Sequence, residues 1–365
     1  RSGDGRKSAM IPLGQMRAGS HRFAVPPLAT GLYLLHVTLD DFSATGKVVN
    51  TGEGTLLRGG MTVAPIGPVL ARQSAVTLVD SLLVKKAGFA TVKTAVTSYD
   101  QAGIAIVMTA DAGSTLPPVT DYSAPGPYKA IEEKDVGPGK AYTIYMPETL
   151  GANGFLHAPI IYGHGIGGHI SGAKNFLMSI AAHGFVVIGC NLLGGYPNSP
   201  ENNTAMTNGL NWLLQQNMVA GSKYQGKLAV DRASTMGFSV GGTAAVDIGG
   251  HEAVKTVVSI HGHTSKATLR GTLLQTTGTR DDRGLPLQQQ TFTNSTVPTF
   301  LATVTNADHG YIERDNGGVQ RPAIVAWLRY WIYNDTGARK YFFGNDCILC
   351  KTPWENPQRK NWPAQ

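Results

Sequence analysis

Apolar positions along this 365-residue chain fall into two regimes. From residue 29 to 118 they come as short runs rich in β-branched residues: Leu32–Leu39, Ala75–Val79, Thr91–Thr97 and Ile104–Met108. Gly and Asp turns interrupt them, which predicts a small β-rich module. Residues 1–28 carry Gly, Ser, Arg and Pro without periodicity and read as a flexible N-terminus. A Pro- and Gly-rich stretch from Leu116 to Pro127 closes this region, and the pattern changes after it. Over residues 119–365, buried strand runs alternate with segments of helical period. The strands are expected at 141–145, 158–162, 185–188, 233–238, 254–260, 271–278 and 297–304, with helices at 173–183, 204–216 and 322–333. That alternation predicts an α/β domain with a mostly parallel, doubly wound sheet.

One junction in this domain carries chemistry. A β-prone run delivers Ser239 into Gly237-Phe238-Ser239-Val240-Gly241, and a helical pattern follows at once. Reversing a strand into a helix so abruptly strains the serine backbone, and small neighbours are what let other backbone pass close by. A serine hydroxyl is a poor nucleophile by itself, so it needs a base and a carboxylate that orients the base. Both follow in chain order, each just past a strand: Gly278-Thr279-Arg280-Asp281-Asp282, then Ala307-Asp308-His309-Gly310. The expected triad is Ser239 as nucleophile, His309 as base and then acid, and Asp281 as the orienting acid. Asp282 takes the last role if the turn is one residue longer. Asp308 is the weaker candidate, because neighbours in an extended loop point apart.

An acyl-transfer oxyanion requires two N–H donors. Val240 follows the nucleophile, and Ile166 lies in the Gly-rich loop 163–169 after the strand ending at Tyr162. His164 braces that loop rather than reacting. Phe238 and His263 join His164 as substrate-lining candidates. His261-Gly262-His263 has a spacing that could suggest a metal, but no third ligand accompanies it, so neither a metal nor a cofactor is expected.

Composition narrows the classes. The net charge is +7, with the bases scattered rather than gathered into an aromatic-spaced stripe, which argues against nucleic-acid recognition. No apolar run reaches the roughly 20 residues of a membrane-spanning helix. Of three cysteines, Cys347 and Cys350 form a lone C-x-x-C, for which a short-loop disulfide in an oxidising compartment is favoured over free thiols. Cys190 ends an apolar strand and reads as a buried thiol.

From about Tyr122 to Pro363 the chain resembles the bacterial cutinase and chlorophyllase-like branch of the α/β-hydrolases, which includes poly(ethylene terephthalate) hydrolases. The matching segments come in order: Ala124–Tyr128, Ala182–Val187, Gly237–Gly242, Thr277–Asp281, Ala307–His309, Ala326–Tyr330, and Tyr341–Gly344 leading into Cys347 and Cys350. The resemblance implies an α/β-hydrolase fold and carries the oxyanion hole onto Ile166 and Val240. Only about ten residues separate the strands at 254–260 and 271–278, where many esterases insert a cap. An uncapped, open groove is therefore expected. Phe238 stands where many relatives have histidine, and His263 where polyester-cleaving members have tryptophan. The expectation is a secreted, monomeric serine esterase acting on esters and polyesters. A soluble-ester carboxylesterase and a non-catalytic binding protein are its rivals.

Overall fold

The structure, a computed structural model, describes residues 31–39, 42–50, 55–58, 80–84, 92–96 and 116–363, except 197–198 and 263–267. The chain divides into two units, 1–109 and 110–365. In the first, β1 (Gly31–Leu39), β2 (Phe42–Asn50) and β3 (Thr55–Arg58) form an antiparallel sheet. Separately, β4 (Asp80–Val84) pairs antiparallel with β5 (Val92–Val96). The strands expected at 75–79 and 104–108 lie outside the described residues, as does the N-terminal stretch 1–28.

The second unit is built on one nine-stranded sheet. Its strands are β6 (Ala130–Val136), β7 (Tyr142–Pro147), β8 (Pro159–Gly163), β9 (Val186–Cys190) and β10 (Ala233–Phe238). They continue with β11 (Val254–Ile260), β12 (Thr272–Gly278), β13 (Thr299–Val304) and β14 (Trp354–Lys360). The order across the sheet is β14-β13-β12-β11-β10-β8-β9-β7-β6. From β9 to β13 every neighbouring pair is parallel, while β6, β7 and β14 run antiparallel to their neighbours. Parallel strands require crossovers: α1 (Lys174–Ala182) links β8 to β9, α2 (Pro200–Gln216) β9 to β10, α3 (Val240–Asp247) β10 to β11 and α4 (Gly284–Asn294) β12 to β13, while the short segment 261–271 joins β11 to β12 with no helix among its described residues. The last helix, α5 (Gln320–Tyr333), joins β13 to β14.

Strand alternation splits the core in two. Ile160, Tyr162, Val187, Val258, Ile260 and Leu274 point to one face, where α1 and α5 pack. Ile161, Val186, Ile188, Val257 and Leu273 point to the other, where α2 and α3 pack. Trp327 of α5 is fully buried, and its indole N–H donates to Thr256 Oγ1 on β11 at 2.7 Å, so its one polar atom is satisfied. Helix α2 begins earlier than its apolar period suggests. Ser199 caps it by accepting from the Asn202 N–H, and Pro200 occupies the first turn.

The elements without a sequence signal are edge or polar ones. β6 (AIEEKDV) and β14 (WENPQRK) are the two edges of the sheet, where charge and proline discourage pairing with other chains. The disulfide lies just before β14 in the chain. Cys347 and Cys350 are bonded, and the Arg359 guanidinium reaches both sulfurs at 3.3 and 3.1 Å. Cys190 is buried and free, and burial pushes its thiol up to about 12, which keeps it protonated and inert.

Two buried histidines outside the triad link the fold to pH. His157 and His183 are fully buried, and burial holds both at about 4. An unfolded chain takes up these protons near 6.5 while the folded chain does not. Stability therefore falls as pH drops from about 6.5 to about 4, with a slope of up to about 1.4 kcal/mol per pH unit for each group. Urea unfolding should show a lower midpoint at pH 4.5 than at pH 7, and His183→Leu should flatten part of that slope.

Candidate active site

The site is assembled at the carboxyl ends of β8, β10, β11, β12 and β13. Its first constraint is steric. At the end of β10, Ser239 adopts φ 55° and ψ −121°, a region that side-chain-bearing residues rarely occupy, and α3 starts at the next residue. The turn closes because glycines meet backbone to backbone. A Cβ on Gly241 would lie 2.1 Å from the Gly163 carbonyl oxygen on β8, and one on Gly237 would lie 2.3 Å from the Gly241 oxygen. Neither position tolerates any other residue, and the result is a serine raised at the head of a helix.

Two side chains from later loops converge on it. The Ser239 hydroxyl lies 2.9 Å from His309 Nε2, and His309 Nδ1 lies 3.0 Å from Asp281 Oδ1. A carboxylate only accepts, so the Nδ1 proton points to Asp281 and Nε2 is left to accept from the serine hydroxyl. Ser239 and Asp281 are buried, while the His309 side chain is about one third exposed, at 37%. Asp281, rather than Asp282, makes this contact. Asp282 is exposed, and Asp308 turns away to pair with Arg314.

Asp281 accepts three further hydrogen bonds. Oδ1 takes the Gly284 N–H at 2.8 Å, at the start of α4. Oδ2 takes the His261 Nδ1–H at 2.8 Å and the Thr277 hydroxyl at 2.9 Å. Burial alone would raise its pKa, but these donors and His309 outweigh it and hold the carboxyl far below its usual range. His261 is itself fully buried. Burial keeps it neutral, against the pull of Asp281, and its Nε2 accepts from the Gln320 side-chain N–H at 3.0 Å.

The facing atoms of His261, Asp281 and His309 lie within 4.8 Å of one another, a grouping that could suggest a cation. The N–O pairs stand at 2.8 and 3.0 Å, tighter than the roughly 3.4 Å between ligands in a tetrahedral shell of ~2.1 Å bonds. The spacing is that of hydrogen bonds.

The other expected residues fall on both sides of this centre. Loop 163–169 lies against the serine, since a Cβ on Gly165 would come within 3.5 Å of Ser239 Cβ. Within it, His164 is buried, with Nδ1 donating to the Gly165 carbonyl at 2.7 Å and Nε2 accepting from the Leu193 N–H at 3.1 Å. It ties two loops together. Ile166 is exposed and Val240 opens α3; neither N–H is taken by a carbonyl among the described residues. Phe238, a substrate-lining candidate, is buried, its ring 5.2 Å from that of His309 and 6.0 Å from that of His261. His263 lies outside the described residues. Beside His309 opens a cleft of about 550 Å³ lined by charged side chains, among them Arg280, Asp282, Arg283 and Glu313.

The sequence offers His261 as a metal ligand or, failing that, as a satisfied structural histidine, and does not single out Thr277, Gly284 or Gln320. A signal existed in the register. Ile260 of β11 pairs with Thr276 of β12, so the next residues, His261 and Thr277, emerge level with each other at the carboxyl end of the sheet.

A strained strand-to-helix turn on a mostly parallel nine-stranded sheet, with a serine, a histidine and an aspartate joined in series, defines a serine hydrolase of the α/β-hydrolase type. Comparison with known families agrees: a family model described as PET hydrolase-like matches residues 123–356, and the chain belongs to that family. No curated protein sequence matches it significantly.

Gly284 offers a direct test of the geometry. A Cβ there would sit 2.1 Å from Asp281 Oδ2, so Gly284→Ala must displace the carboxylate. Labelling of Ser239 by a fluorophosphonate probe should slow by about a hundredfold, as misplacements near 1 Å do elsewhere.

Proposed function

We propose that this protein is a secreted serine esterase, cutinase-like, that cleaves carboxylic esters and accepts polyester chains. The observation that carries the reading is the unbroken series from Ser239 through His309 to Asp281, at 2.9 and 3.0 Å. In this reaction Ser239 Oγ attacks the ester carbonyl while His309 Nε2 takes the hydroxyl proton. The tetrahedral oxyanion accepts from the N–H groups of Ile166 and Val240. The intermediate collapses, His309 returns its proton to the leaving alkoxide, and an acyl-serine remains. Water, deprotonated by His309, then attacks the acyl carbon; a second tetrahedral species releases the acid and restores the serine. Asp281 stays ionised throughout and stabilises the imidazolium.

Membership of the PET hydrolase-like family supports an ester substrate. An exposed apolar side chain in the loop against the serine supports a bulky one: Ile166 is 51% exposed in loop 163–169. The Cys347–Cys350 bond supports an oxidising compartment, hence secretion.

The test is hydrolysis of short- and long-chain para-nitrophenyl esters, with acid release from amorphous terephthalate film, by the wild type and Ser239→Ala. The wild type should turn over the esters and release acid from film. The variant should lose activity by about 10⁴-fold or more while remaining folded. Ester turnover without acid release would restrict the substrates to soluble esters, and equal activity in both proteins would refute the triad.

A further inference from the structure

The carboxylate of Asp281 needs one oxygen to hold His309. Its other oxygen faces a second imidazole, and the surroundings of that imidazole are built for the contact. His261 follows β11 directly and adopts φ 50°, a left-handed conformation that a histidine occupies only at some cost. It has no exposed surface, so its polar atoms must be satisfied inside the protein. Gln320, the first residue of α5 and equally buried, donates to Nε2. That bond leaves the one ring proton on Nδ1, the nitrogen that faces Asp281 Oδ2 at 2.8 Å. Phe238 packs against both histidine rings and keeps them 5.7 Å apart. An apolar side chain in place of His261 would fill the same volume without requiring a buried glutamine behind it.

We propose that His261 is a positioning residue for the hydrolytic reaction: its Nδ1–H anchors Asp281 Oδ2 and draws off part of the carboxylate charge, so that His309 is aimed at Ser239 and held as a free base. The inference rests on the triad reading above. Without the His261 donor, more negative charge faces His309, its imidazolium is favoured, and the base becomes available only at higher pH. The neutral groups around His261 are Phe238 of β10, Thr277 of β12 and Gln320 of α5. The charged groups facing the pair are Asp281, His309 and Asp308, the last paired with Arg314, while Arg280, Asp282, Arg283 and Glu313 line the cleft outside. All of these are common to the wild type and the variants, so a difference between profiles reports on His261.

Two amides separate the donor from the bulk. His261→Asn places a side-chain N–H where Nδ1 stood and suits the left-handed backbone. His261→Gln puts its N–H where Nε2 stood, beyond reach of Asp281. The experiment is kcat and KM for a para-nitrophenyl ester as a function of pH, on folded protein, with Ser239→Ala as background. For His261→Gln the acid limb of kcat/KM should move up by about one pH unit, and kcat should fall about tenfold with KM little changed. His261→Asn should recover most of both effects. A His261→Gln profile that superimposes on the wild type overturns the proposal. So does a His261→Asn protein as impaired as His261→Gln, since that would make ring shape the cause. Should Ser239→Ala retain full activity, the triad itself fails, a result distinct from either.

Discussion

A carboxylate with almost no contact with water governs this site. An isolated buried charge is among the most costly things a fold can contain, and it persists only where donors replace its hydration. Asp281 receives four, from the loop after β11, the end of β12, the first turn of α4 and the loop after β13. Those four segments meet at one point because β11, β12 and β13 are parallel neighbours whose carboxyl ends lie level. The sheet order and the ionised aspartate are thus one constraint seen at two scales.

The serine depends on a different kind of contact. Gly163, Gly237 and Gly241 bring β8, β10 and α3 closer than any side chain allows, and that approach fixes the turn at Ser239. The same contact sets the loop after β8 beside the hydroxyl. His164 then fastens that loop to the one after β9 through two hydrogen bonds, and burial holds its pKa low, so it braces as a neutral ring. Electrostatics places the acid and steric contact places the serine. His309, the residue between them, is the most exposed of the three.

Much of this was legible in the residues. Ser239, Asp281 and His309 each sit just past a strand that apolar periodicity marks out, and strand ends of a parallel sheet gather at one edge. The donors behind Asp281 were less legible because their role depends on register, and periodicity does not give register: His261 and Thr277 become partners only once β11 pairs with β12. Phe238 follows the alternation along β10, which puts its ring with Met236 on the face that α1 and α5 cover. The edge strands β6 and β14 and the polar helix α4 carry too little apolar pattern to announce themselves, being held by neighbours rather than by their own burial.

The pairing of β14 has a consequence in time. The segment that carries His309 is held from below by the chain's last described strand: Thr305 donates its N–H to the Pro353 carbonyl at 2.8 Å, and β13 pairs with β14 through Val304 and Trp354. A ribosome making this protein finishes Ser239 and Asp281 long before residue 360 emerges. Until then the histidine loop lacks its support, and the nascent chain holds a serine without its partner. The Ser239–His309–Asp281 series is therefore completed only when the sheet's last edge strand is in place.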